Sequence, residues 1–145
     1  VKRLGFQILD YENRVKRISE NTILLHDYLK TQSKIVEIKS VLHKDSVENF
    51  SKIKKGNCVP GLLSVVFDKD LAYYYDKLKL AKGPSLGTEF TLAMPYVYLA
   101  HYNYLKSEKG LSKLEELGIN PNLLRISVGI EPIEDIIKAF QLVLE

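Results

Sequence analysis

From the start of the chain to about residue 31, apolar side chains return at alternating steps of four and three: Leu4, Ile8, Tyr11, Val15, Ile18, Thr22, Leu25 and Leu29. That spacing puts them on one face of a single long helix, with Lys2, Glu12, Lys16, Glu20 and Asp27 on the opposite face. Helices in globular proteins average about 10–14 residues, so the far end of this one is expected to pack against something outside the chain.

Shorter elements follow. Ile35-Val36-Glu37-Ile38 reads as a short strand, and residues 43–57 as a polar surface loop holding at most a helical turn. Leu62 to Phe67 is the clearest strand, bounded by Pro60-Gly61 and Asp68-Lys69-Asp70. Asp70 is placed to cap a helix to about Lys77 on which Leu71, Tyr74, Tyr75 and Leu78 share a face. Gly83-Pro84 and Gly87 mark a loop. Pro95 divides the stretch 90–105 into an extended start and a helical remainder. A short helix from Leu111 to Leu117 stops at Gly118. Leu123 to Val128 alternates as a strand, with Leu124, Ile126 and Val128 facing one way and Leu123, Arg125 and Ser127 the other. The last helix begins near Pro132 and buries Ile133, Ile136, Ile137, Phe140 and Leu144. Helices mixed irregularly with a few strands predict an α+β fold, a small and mainly antiparallel sheet covered by helices.

Composition limits what such a fold can do. The 145 residues, 46% hydrophobic and 27% charged, fit one ordered domain over 1–145. A net charge of +3 is too mild to imply a nucleic-acid partner, and no apolar run is long enough to span a membrane. One cysteine, Cys58, excludes an intrachain disulfide framework and a multi-cysteine zinc site. Val1-Lys2-Arg3 is not followed by the apolar core of a signal peptide, so a cytoplasmic setting is expected. The only methionine is Met94, which predicts either a lost initiator or a piece of a longer protein.

Catalytic groups are sparse. Cys58 has cationic neighbours in sequence but no paired histidine, and His26, His43 and His101 lack metal-ligand spacing. His26 falls at an exposed-looking position of the first helix. The tyrosines at 73–75, 96, 98, 102 and 104 suggest base-stacking platforms, but helical spacing and few nearby cations favour core packing. No metal site and no complete catalytic set is expected. Arg125 stands apart. The chain has four arginines against seventeen lysines, and the other three lie on the first helix. Inside a hydrophobic strand, a guanidinium needs an acidic partner, an exposed face or a bound anion.

Two segments carry a family resemblance. Gly83-Pro-Ser-Leu-Gly-Thr-Glu-Phe90, and Leu123-Leu-Arg-Ile-Ser-Val-Gly-Ile-Glu131 followed by Pro-Ile-Glu-Asp-Ile-Ile137, resemble the C-terminal region of the Cys/Met-metabolism family. These are the pyridoxal-phosphate (PLP) enzymes of transsulfuration: cystathionine γ-synthase, the cystathionine β- and γ-lyases, and methionine γ-lyase. The resemblance covers essentially the whole chain and implies the small domain of a fold-type I PLP enzyme. It implies that Arg125 binds the α-carboxylate of an amino-acid substrate, and that Ser85, with the Leu86–Gly87 backbone, lies against the active site. His101 resembles a histidine downstream of the serine loop and is read as structural. Thr88 in place of a second loop glycine, Pro84 before the serine and a long serine-to-arginine interval point to a divergent branch.

The family's cofactor lysine, phosphate grip and pyridinium aspartate belong to a large domain that would precede this chain. Lys82, the nearest lysine to the loop, lacks the expected surroundings. The implied protein is therefore inactive alone and binds no PLP by itself. In the intact enzyme, a homo-oligomer, it would serve β- or γ-elimination or replacement on sulfur or O-acyl amino acids. The alternatives are a non-catalytic remnant acting as an interaction or oligomerisation module, and a small-acid binding module built on Arg125.

Overall fold

The computed structural model describes residues 5, 6 and 8–145. The first helix, α1, runs over Tyr11–Lys30 after a turn at residues 8–10. It is shorter than the periodicity predicts, and Leu4 lies outside the described residues. The stripe divides in two. Ile18, Thr22, Leu25 and Leu29 are buried, whereas Ile8 and Tyr11 are exposed.

The strands are β1 (Ile35–Lys39), β2 (Leu62–Phe67), β3 (Ala81–Lys82), β4 (Leu92–Pro95) and β5 (Leu124–Ser127), in the sheet order β1-β2-β5-β4-β3. Every pairing is antiparallel except that of β3 with β4. The remaining helices are α2 (Lys44–Ile53), α3 (Leu71–Tyr75), α4 (Tyr96–Ala100), α5 (Glu108–Glu116) and α6 (Ile133–Leu144), with a 3-10 turn over Tyr102–Lys106. The expected α+β class holds.

Alternation along the central strands sorts side chains to two faces. Register places Leu63 and Ala93 beside Ile126, and Val65 beside Leu124. These residues are buried, and with Leu25 and Leu29 of α1 and Ile136 and Phe140 of α6 they form one core. Phe67 stacks on Tyr74 at 4.3 Å between ring centroids, closing the core at α3. Gly118, at φ +64°, ends α5 as expected.

Three expectations need correction. Residues 43–57 contain a ten-residue helix, α2, whose N-terminus is capped by His43; its Nδ1 accepts from the Asp45 amide at 3.4 Å. His26 is buried rather than exposed, because it lies one step along α1 from Leu25 and shares the covered face. Of the tyrosines assigned to core packing, only Tyr74 is buried. Tyr73 is exposed because it lies on the face of α3 turned away from buried Leu71 and Tyr74, and Tyr98, Tyr102 and Tyr104 are exposed on α4 and the 3-10 turn.

Candidate functional site

The second sheet face carries the candidate residues. On β5, Arg125 lies between Ser64 of β2 and Met94 of β4, and Ser127 lies between Leu62 and Leu92. Ser127 is buried although it faces away from the core, because the loop between β3 and β4 folds over it. Two bonds fix that loop. The Gly87 amide donates to Ser127 Oγ at 3.3 Å, and Arg125 Nη2 donates to the Pro84 carbonyl at 2.6 Å. Gly87 takes φ +68°, a left-handed conformation that glycine adopts without a Cβ penalty.

The structure thus brings Arg125 and the Ser85 loop together. Ser85, Leu86 and Gly87 are exposed and Arg125 is half-buried. Among the described residues no carboxylate forms an ion pair with Arg125. One of the five guanidinium N–H donors of half-buried Arg125 is used by the Pro84 carbonyl, on the exposed side of the strand beside the Ser85 loop.

Sequence reasoning missed the clamp beneath this loop. Glu131 accepts from the Thr91 amide through Oε1 and from Thr91 Oγ1 through Oε2, the latter at 2.9 Å. Thr91 Oγ1 in turn accepts from the Gly129 amide at 3.0 Å, and the Ile130 amide donates to the Glu89 carbonyl at 2.9 Å. From α1, Asn21 Nδ2 donates to the carbonyls of Gly129 and Glu131, at 3.0 and 2.8 Å. Buried Thr91 and Asn21 therefore tie α1, the serine loop and the strand end together. A Gly-Ile-Glu run after a strand was the available signal.

Beside the loop lies a groove of about 440 Å³ lined by Tyr11, Val15, Val59, Leu62, Leu86 and Ser127, among others. Its described lining includes no lysine. Lys82 donates to the carbonyls of Tyr75 and Leu78 at 2.6 and 2.8 Å and lies over the Tyr75 ring. Burial lowers its pKa from the ordinary lysine value. To hold PLP covalently this groove would need a lysine, and none stands among its described lining residues. No group of histidine, cysteine and acidic residues among the described ones is arranged to hold a metal, and no described helix is long and apolar enough to cross a membrane.

The model of the Cys/Met metabolism PLP-dependent enzymes matches residues 5–145, and the chain belongs to that family. Similar relatives include L-2-amino-4-chloropent-4-enoate dechlorinase/desaturase of Streptantibioticus cattleyicolor, 36% identical over 96% of this chain and 28% of its own length. Cystathionine gamma-synthase of Neurospora crassa is 36% identical over 90% of this chain and 21% of its own. Among solved structures, a cystathionine gamma-lyase of Micromonospora echinospora superposes with a TM-score of 0.79 at 19% identity, over 93% of this chain and 35% of that one. That of Lactobacillus plantarum, complexed with L-serine, gives 0.77 at 17% identity, over 92% and 36%. At these identities the structures show the fold. The chain spans only about a fifth to just over a quarter of the length of these curated relatives.

Proposed function

We propose that this chain is the C-terminal substrate-binding domain of a transsulfuration-type enzyme. The enzyme would act by β- or γ-elimination or replacement on sulfur or O-acyl amino acids, with Arg125 anchoring the substrate α-carboxylate. The observation that carries the reading is Arg125, half-buried and without a carboxylate partner among the described residues, its guanidinium bonded to the carbonyl next to Ser85.

PLP would be held by residues of a separate large domain and would supply the electron sink there. Arg125 would fix one end of the substrate, so that the bond to be broken at Cα is presented in one orientation. The Gly87 amide is committed to Ser127, which leaves Ser85 and Leu86 as the loop residues facing the substrate. Exposed Phe6, Leu9, Leu86 and Phe90 lie beside this loop and suit a surface that the large domain covers. They equally suit the second reading, a non-catalytic module that docks on a partner or a second copy through this patch.

Charge-assisted hydrogen bonds contribute about 1.5–3 kcal/mol each. In the intact enzyme, Arg125→Ala is therefore expected to raise KM for the amino-acid substrate at least about tenfold. Arg125→Lys, which loses the fork, should recover only part of that. Unchanged steady-state KM in both variants would remove Arg125 from the site.

A further inference from the structure

A flexible arginine grips a carboxylate well only when its fork is held in place beforehand. Two neighbours hold Arg125: the Pro84 carbonyl on Nη2, and the Tyr96 ring, whose centroid lies 5.9 Å from Cζ. Tyr96 begins α4 immediately after β4, and its amide donates to the Leu123 carbonyl at 3.1 Å, so its backbone is fixed beside β5. Its hydroxyl shares a hydrogen bond with His101 Nε2 at 3.1 Å, and the two rings meet edge-on with centroids 5.2 Å apart. His101 is itself held at both backbone groups, its amide donating to Val97 and its carbonyl accepting from Tyr104, each at 2.9 Å. Gly110 then packs so closely that a Cβ there would stand 2.2 Å from the Tyr104 carbonyl oxygen.

We propose that Tyr96, braced by His101, is a positioning residue whose ring faces the Arg125 guanidinium at cation–π distance and helps hold its fork toward the substrate carboxylate. The inference rests on Arg125 being the carboxylate anchor. It gives a role to Tyr96, which the sequence assigned to core packing, and to His101, which it read as structural.

The test uses the intact enzyme with Arg125→Ala, Tyr96→Phe, Tyr96→Leu and the Tyr96→Leu/Arg125→Ala double variant. Loss of a cation–ring contact predicts that Tyr96→Leu raises KM about fivefold while kcat stays within about twofold. Tyr96→Phe keeps the ring and loses the His101 bond, so a KM rise of about twofold is expected. In the Arg125→Ala background, Tyr96→Leu should add nothing, because the contact it serves is gone.

A KM unchanged by Tyr96→Leu, or an equal rise in both backgrounds, would overturn the proposal. So would a fall in kcat at constant KM. An unchanged KM in Arg125→Ala would instead defeat the anchor reading itself, which keeps the two failures apart. An independent readout comes from NMR of the 145-residue chain. The Arg125 Nε–Hε resonance should lose a ring-current shift in Tyr96→Leu and keep it in Tyr96→Phe. A resonance unmoved by Tyr96→Leu would also overturn the proposal.

Discussion

Gly129 has no freedom to be anything else. A Cβ there would stand 2.3 Å from Glu131 Oε2 and 2.5 Å from the Phe90 carbonyl carbon. Gly129→Ala must push the clamp apart, and overpacking of this kind costs about 1–3 kcal/mol. Urea denaturation should show that loss as a lower midpoint with an unchanged slope. Tyr74 offers a pH signature. Burial first, then its hydrogen bond to Asp68, pushes its pKa up to about 12. A folded-state value above the unfolded one gives stability that is complete below about pH 10 and lost as pH rises through about 12. Tyr74→Phe should therefore remove part of the alkaline loss of stability in that window, as followed by circular dichroism.

At the scale of elements, burial separates the polar helix α2 from the apolar helix α6. No residue of α2 is buried, whereas α6 buries Ile136, Ala139, Phe140, Val143 and Leu144. Hydrogen exchange should release the α2 amides well before those of α6 and β5, since local opening of α2 exposes little apolar surface. Comparable protection in α2 would mean that this helix has packing its surface does not reveal. The stop of α5 at Gly118 is conformational rather than steric, because a Cβ there meets nothing within 4 Å. Gly118→Ala is expected to cost about 1 kcal/mol for the left-handed backbone, read as a fall in melting temperature.

For the molecule as a whole, the proposed reading assigns carboxylate binding to the Arg125 surface and leaves the cofactor to another domain; the groove beside Arg125 has no lysine in its described lining. The 145-residue chain, mixed with PLP and reduced with borohydride, should show no stoichiometric modification at one lysine by mass spectrometry. A single fully modified lysine would mean that a cofactor-holding residue lies within this chain after all.

The sequence by itself determined the elements whose signals are local. The Leu62–Phe67 strand, the Asp70 cap on Ala72 and the Gly118 stop all follow from residues within a few positions of one another. It also marked Arg125, because an arginine in an apolar strand demands an explanation wherever the strand sits. What surrounds that arginine belonged to the tertiary structure. Pro84 reaches it across 41 positions, Glu131 reaches Thr91 across 40 and Asn21 reaches Glu131 across 110. Short-range periodicity carries no information about such pairings. Tyr96 illustrates the division: its aromatic character is plain in the sequence, but only the antiparallel register of β4 on β5 brings it beside Arg125. Local preference builds the strands, and the sheet decides which side chains meet.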